Sequence, residues 1–171
     1  MLFRSHLQQA VSLYRTLIHK TINGFTPSLA ESLHELSVIL RELGRYAESI
    51  VAGTEAVKLR RGLEKVYPEE FKISLASSLH NVGLCYQMRG DKEYSITFFK
   101  EAIELYRVIA QGTPEDSAPL LANSLQSIVG SFDSLGRHQD ALRFAAELVQ
   151  VHRYLQHQQP EAFSTRLSKS L

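Results

Sequence analysis

Apolar residues recur along this chain at spacings of three and four, and the pattern then returns after 46 residues. In the central stretch, Leu79, Val82 and Tyr86 follow one another at these spacings. Because an α-helix brings residues three and four apart onto one face, the stretch predicts an amphipathic helix. The equivalent positions 46 residues earlier and later are also apolar: Leu33, Leu36, Leu40, Leu125, Ile128 and Phe132. The pattern therefore predicts a repeated helix.

A glycine and a second apolar pattern follow each of these helices. Gly44, Gly90 and Gly136 are 46 residues apart and stand where a left-handed residue commonly ends a helix. A second helix is predicted beyond each glycine, with equivalent apolar positions: Ile50, Val57 and Leu59; Ile96, Ile103 and Leu105; Leu142, Val149 and Val151. Two helices in a unit of fixed period are typical of stacked helical repeats.

Proline marks the links between units. Pro68, Pro114 and Pro160 are each followed by Glu, and proline suits the first turn of a helix. Pro119 lies about one turn further along, where it predicts either a kink or a helix start near Ser117.

Arginines recur before these links, eight residues ahead of the glutamates that follow proline. We expect each arginine to form an ion pair with the start of the next helix. The predicted pairs are Arg61–Glu69, Arg107–Glu115 and Arg153–Glu161.

We interpret the chain as one all-α domain of antiparallel helix pairs. It divides into a half repeat (1–26), three repeats (27–72, 73–118 and 119–164) and a partial repeat (165–171). The first 30 residues contain no Asp or Glu, a composition typical of a mitochondrial transit peptide. However, QAVSLYR at 9–15 matches EAIELYR at 101–107 in the repeat register, which favours a repeat helix.

Composition narrows the possible partners and the location. The net charge of +1 favours neither nucleic acid nor an anionic membrane as a partner. No apolar run reaches the roughly 18 to 20 residues that span a bilayer. The only cysteine, Cys85, excludes an internal disulfide and favours a reducing compartment, so we predict a cytoplasmic protein. Cys85 is equivalent to Ile39, so we expect a buried side chain.

Motifs for catalysis or metal binding are not found. The seven histidines include no HExxH motif, and a single cysteine cannot build a cysteine-based zinc site. His34 and His80 occupy equivalent positions, which indicates repeat geometry. The sequence has no glycine-rich phosphate loop or nucleophile elbow. We therefore predict a protein without metal, cofactor or enzymatic activity.

The central unit resembles a tetratricopeptide repeat. Gly83, Tyr86, Gly90, Phe99 and Ala102 stand at the motif positions of that family. The 46-residue unit is longer than the usual one and is similar to the repeats of kinesin light chains and of some signalling NTPases. Other units depart from the motif: Ser37 and Val129 replace Gly83, Ser49 and Ser95 replace the motif alanine kept at Ala141, and Gly53 replaces Phe99.

The resemblance implies a right-handed α-solenoid that binds a protein or peptide in a concave groove lined by the first helices. The positions that it assigns to the groove are His34, Glu35, Val38, Arg41, His80, Asn81, Leu84, Gln87, Met88, Gln126 and Asp133. Asn81 stands where kinesin-light-chain-like repeats carry an asparagine that holds the ligand backbone. Val38, Leu84 and Met88 would supply an apolar patch, and the acidic rim favours a ligand with basic character.

Two alternatives to a binding scaffold stay open at this point. The array could be a truncated regulatory or sensor segment of a larger signalling NTPase. It could also be a structural piece that self-associates through its open end helices. A nucleotide-binding domain elsewhere in the gene would favour the first alternative, and the molar mass in solution tests the second.

Overall fold

The computed structural model describes His6, residues 8–13 and residues 26–158, and the regular structure in this part of the chain is entirely helical. Between residues 26 and 158 the helices are α1 (Thr26–Glu42), α2 (Tyr46–Glu64), α3 (Pro68–Arg89), α4 (Lys92–Ala110), α5 (Pro114–Ser134) and α6 (His138–Gln158). Residues 8–13 are helical and belong to the predicted half repeat. The partial repeat at 165–171 lies outside the described residues. The all-α prediction is confirmed.

The helices stack in the order in which they follow along the chain. Each packs against the next, so that α1–α2, α3–α4 and α5–α6 form antiparallel pairs. The first helices α1, α3 and α5 also contact one another, and more closely than the second helices do. The first helices therefore form an inner layer, and α2, α4 and α6 form an outer layer. The unit boundaries counted at 73 and 119 lie inside α3 and α5.

The turn within each pair is set by glycine. Gly44, Gly90 and Gly136 have φ of +74°, +100° and +70°, the left-handed region that disfavours residues with a Cβ atom. The residue after each glycine donates its N–H to a carbonyl in the last turn of the first helix. These bonds are Arg45 to Leu40 (2.8 Å), Asp91 to Tyr86 (2.9 Å) and Arg137 to Phe132 (2.9 Å). Their pattern is that of a Schellman motif, so the predicted helix ends are confirmed.

Proline begins the first helices α3 and α5, as the sequence predicts. The expected start of α5 near Ser117 is wrong, because the helix begins at Pro114 and continues through Pro119. The Thr113 carbonyl accepts the Ser117 hydroxyl at 2.9 Å, so the first turn is already closed before Pro119. Pro119 has no N–H to donate to the Glu115 carbonyl. Glu115 is exposed, so its carbonyl can accept a hydrogen bond from water instead.

The core follows most of the repeated apolar positions, but the apolar face predicted for α6 is wrong in part, because Leu142 and Val149 are 65% and 48% exposed. Leu33, Leu79 and Leu125 are at most 1% exposed, and Ala56 and Ala102 are fully buried where helices lie close together. One cluster joins α1 and α2 to Val11, and a larger one extends from α2 to α6. The larger cluster thus crosses the boundaries between units, so each pair depends on its neighbours for burial.

Close packing inside a pair requires a small residue on one of the two helices. At Gly83, a Cβ atom would lie 2.6 Å from the Phe99 ring. The first unit reverses this arrangement: Ser37 is equivalent to Gly83, and Gly53 is equivalent to Phe99. A Cβ atom at Gly53 would lie 2.7 Å from the Ser37 hydroxyl. The two departures from the motif therefore compensate for each other.

The recurring arginines form ion pairs, but not the predicted ones. Arg61 and Arg107 each reach a glutamate 40 residues further along, on the next second helix: Arg61 Nη2 to Glu101 Oε2 (2.5 Å) and Arg107 Nε to Glu147 Oε1 (2.9 Å). The predicted partner Glu69 instead lies near Lys72, at 3.5 Å. The prediction was wrong because successive second helices lie side by side in the outer layer, which brings these glutamates within reach. Glu161 lies outside the described residues.

We predict that Gly83→Ala lowers the free energy of unfolding by about 1–3 kcal/mol, because the new methyl group overlaps the buried Phe99 ring. Gly62→Ala is the matched control, since a Cβ atom there has no neighbour within 4 Å. It should be neutral or stabilise the chain by up to about 1 kcal/mol through helix propensity. Urea unfolding followed by circular dichroism measures both variants. Equal effects of the two substitutions would contradict the packing argument.

Candidate peptide-binding groove

The predicted groove residues lie on the inner layer in three neighbouring rows. On α3, His80, Leu84 and Met88 are four residues apart and therefore share one face. The equivalent residues on α1 are His34, Val38 and Glu42, and those on α5 are Gln126, Gly130 and Ser134. Since α1, α3 and α5 contact one another in this order, the rows lie side by side.

The predicted groove residues differ in their solvent exposure. Glu35, Met88, Gln126 and Asp133 are exposed, and Met88 is the most exposed of the apolar ones at 53%. Val38 and Leu84 are half-buried, and Leu84 also packs against the larger core cluster. The open apolar surface of the groove thus consists of Met88 with the edges of Leu84 and Val38.

The two equivalent histidines hold successive first helices together. His34 Nδ1 lies 3.2 Å from the Ser78 hydroxyl, and His80 Nδ1 lies 2.9 Å from the Ser124 hydroxyl. Both bonds join a first helix to the next one, 44 residues further along. These histidines are half-buried and form a seam between the helices.

Burial also sets the charge of these histidines. Desolvation, together with the nearby Arg60 guanidinium, lowers the pKa of His34 to about 4. Desolvation lowers the pKa of His80 to about 4 as well, with a contribution from Arg41. Both rings are therefore neutral at pH 7, and the seam carries no imidazolium charge.

A second seam runs beside the first and uses longer side chains. Arg41 Nε donates to Asn81 Oδ1 at 2.9 Å, and Asn81 Nδ2 donates to the Ser37 hydroxyl at 2.8 Å. Gln87, which is equivalent to Arg41, donates Nε2 to the Ser127 carbonyl at 2.9 Å. Asn81 is only 5% exposed, and both ends of its amide are used inside the stack. A peptide backbone would have to displace one of these bonds to reach the amide.

Arg60 is a residue of this site that the sequence analysis missed. It belongs to α2 but is only 2% exposed. Its guanidinium donates to the Ser74 carbonyl at 2.8 Å and to the Ser78 hydroxyl at 2.5 Å, and it pairs with Glu31 on the groove surface. The equivalent residue in the next unit is a buried tyrosine, Tyr106. The sequence signal for Arg60 is a charged residue at a position that belongs to the core in the next unit. A buried charge needs a partner, so such a residue is expected to form an ion pair or hydrogen bonds.

The described residues hold no group of three histidine, cysteine or acidic side chains that could bind a metal ion. In the same part of the chain, none of the helices combines the length and apolar character that a membrane span requires. Cys85 is buried as expected, with its Sγ atom 2.9 Å from the Ser49 hydroxyl, and burial raises the pKa of its thiol. A raised pKa keeps the thiol protonated and unreactive at pH 7.

We predict that acid destabilises the stack through His34 and His80. Their pKa values are about 4 in the folded chain and 6.5 when exposed, so the unfolded chain binds more protons between these values. Stability should therefore fall as the pH is lowered from about 6.5 to about 4, by about 1–3 kcal/mol for each histidine. Urea unfolding across this pH range measures the loss.

His80→Gln should remove the His80 contribution to this acid loss, and glutamine already occurs at the equivalent position, Gln126. Ser124→Ala is the control: it removes the hydrogen bond, at a cost of about 1 kcal/mol, but leaves the buried ring. That variant should keep the full acid dependence. An unchanged acid dependence in His80→Gln would show that other groups cause it.

Residues 29–63 and 75–115 match a family model described as tetratricopeptide repeat. A comparison with curated proteins finds none that matches. Among solved structures, BtubC (BKLC) from P. vanneervenii aligns with 88% of this chain at 14% identity and a TM-score of 0.67. This chain spans 58% of the length of that one, and the likeness is one of fold.

Two further structures align at lower TM-scores. A putative kinesin light chain from Podospora anserina, with nearly identical TPR-like repeats, gives 0.42 at 16% identity over 89% of this chain and 90% of its own. MamA 41-end from Desulfovibrio magneticus RS-1 gives 0.37 at 15% identity over 85% of this chain and 96% of its own. The family matches coincide with the pairs α1–α2 and α3–α4, and α5–α6 repeats their packing. The chain therefore contains tetratricopeptide repeats over residues 29–63 and 75–115.

Proposed function

We propose that this protein is a non-enzymatic scaffold that binds a peptide segment of another protein on its inner layer. Tetratricopeptide repeats generally mediate contacts between proteins. The observation that carries the proposal is the apolar surface formed by Met88, Leu84 and Val38 beside the exposed polar positions Glu35, Gln126 and Asp133. Apolar side chains grouped on a polar surface commonly mark a site for a protein partner.

The charges around this surface favour a ligand with basic residues. Glu31, Glu35 and Glu42 are exposed on α1, and Asp133 is exposed on α5. Arg41 is held in the seam by Asn81, and Glu31 is paired with Arg60, which leaves Glu35 and Glu42 as the open carboxylates of α1. We therefore expect a peptide with one large apolar side chain and flanking lysine or arginine residues. The rim carboxylates would act mainly on the rate of association.

The seams support this function by fixing the groove in advance. The neutral histidine–serine bonds and the Arg41–Asn81 bond connect neighbouring first helices, so the rows do not need to be ordered by the ligand. A preformed surface loses less conformational entropy on binding than a mobile one. Met88 remains adaptable, because its unbranched side chain can fit varied apolar groups.

We predict that Met88→Glu weakens binding of such peptides by about tenfold or more, because a charge replaces the apolar contact. Glu35→Lys should weaken it by several-fold, mainly through a slower association rate. The probe is a panel of fluorescent peptides, each with one Leu, Phe or Trp between basic residues, measured by anisotropy. Asn81→Ala is unsuitable as a test, since it would also leave Arg41 and Ser37 without their partner.

Val51→Glu is the matched control, because Val51 is an apolar residue of α2 that is 68% exposed on the outer layer. It introduces the same side chain as Met88→Glu on the opposite surface, and should leave peptide binding unchanged. Equal weakening by both variants, or normal binding by Met88→Glu, would place the site elsewhere.

A further inference from the structure

The outer layer carries a second candidate site, between α2 and α4. A cavity of about 380 Å³ lies there, with the buried Val57 and the half-buried Phe98 among its lining residues. Lys58, Arg61 and Lys65 also line the cavity, and no carboxylate does. Lys58, Arg61 and Lys65 recur at spacings of three and four, so that α2 presents them on one face.

Within the described part of the chain, the lysines of this pocket have no neutralising carboxylate. The Arg61 guanidinium is occupied by Glu101, at 2.5 Å. Lys58 and Lys65 are exposed, and among the described residues no carboxylate lies within ion-pair distance of either. Lys65 follows the last residue of α2, where the negative end of the helix dipole stabilises a positive charge, so helix stability alone can explain this lysine. Lys58 lies two turns earlier, where that explanation does not apply.

The next unit contains a cavity with which this pocket can be compared. The equivalent cavity between α4 and α6 contains Glu93, Glu101 and Glu104 as well as basic residues, and ion pairs neutralise several of its charges. Glu104 is equivalent to Lys58, and Gln111 is equivalent to Lys65. The positive character of the first pocket is therefore not a requirement of the repeat.

A second cavity, of about 530 Å³, adjoins this basic outer pocket and shares Lys58 and Gly62 with it. Its walls are mainly apolar and include Leu59, Leu63, Tyr67 and Phe71, with Glu70 as its carboxylate. Gly62 has no side chain to separate the two cavities, whereas the equivalent residue of the next unit is Val108. A single extended ligand can thus reach both cavities across α2.

We propose that this outer surface binds an acidic peptide segment of a protein partner, with its carboxylates at Lys58 and Lys65 and a large apolar side chain in the adjoining cavity. Charge complementarity supports the carboxylates, and a mainly apolar cavity is where a ligand side chain is commonly buried. A nucleic acid fits less well, because two open lysines release few counterions and the net charge is only +1. The lysine pocket lies on the layer opposite to the inner groove, and the adjoining cavity lies at the edge of the stack, between the starts of α1 and α3 and the end of α2.

The test uses the full chain and fluorescent peptides of about nine residues, roughly 30 Å when extended. Each peptide carries two acidic residues and one Leu, Phe or Tyr at varied spacing, and a second series replaces the acidic residues with lysine. Anisotropy should show binding of members of the acidic series in preference to the basic one. A single-stranded DNA oligonucleotide and phosphatidylserine vesicles are the other anionic probes.

The variant Lys58→Glu/Lys65→Gln introduces the residues that the next unit carries, so it should fold. It should weaken binding of the acidic peptides by about tenfold or more. Gly62→Val should also weaken it, since the valine side chain would stand between the cavities. Arg143→Glu is the matched control: it reverses an exposed charge in the neighbouring cavity and should change affinity by less than about twofold.

Three results would overturn the proposal. The first is that no acidic peptide binds, and the second is that the lysine variant binds the acidic peptides as tightly as the unchanged chain. The third is that Arg143→Glu loses as much affinity as the lysine variant. Tighter binding of DNA or vesicles than of the peptides would assign the surface to a different class of partner. Because Met88→Glu acts on the inner layer, its effect on the basic peptides is independent of all these outcomes.

Discussion

The structure depends on the requirement that each helix pair bury its apolar face against the next pair. Contacts between units therefore recur at fixed sequence separations. Contacts of a serine hydroxyl join residues 36 apart, in Ser49–Cys85 and Ser95–Ser131. Ion pairs join residues 40 apart, in Arg61–Glu101 and Arg107–Glu147. Histidine–serine hydrogen bonds join residues 44 apart, in His34–Ser78 and His80–Ser124. An insertion of one residue would break every such contact that crosses it. The exact repeat length is thus a condition for stacking, because no unit has a complete core of its own.

The sequence was sufficient to predict the helices and the core, because apolar spacing and burial follow directly from helix geometry. It did not separate groove residues from seam residues. On a helix, one step along the chain turns the side chain by about 100°, so neighbouring positions can face a ligand or the next helix. His80 and Asn81 were both assigned to the groove, but their hydrogen bonds lie between helices. Only the packing of α3 between α1 and α5 reveals the difference.

Interactions between distant residues were the other part that the sequence did not provide. The sequence identifies the arginines as a recurring set and predicts partners eight residues away, whereas in the structure Arg61 and Arg107 pair with glutamates 40 residues away. The choice depends on how closely the second helices approach each other, which periodicity does not specify. Arg60 illustrates the same point, because its partners Glu31 and Ser74 belong to two different first helices.

Exposed residues that break the repeat are the ones most available for function. The stack is held mainly by contacts that recur in each unit, so an exposed side chain with neither an equivalent in the other units nor a partner in the stack is not required by it. Met88 is equivalent to Glu42 and Ser134, and Lys58 is equivalent to Glu104 and Gln150. Since the other units pack in the same way with those residues, the fold does not explain the methionine or the lysine. Met88 is on the inner layer and Lys58 is on the outer one, so these departures place candidate surfaces of different chemistry on opposite sides of one rigid stack.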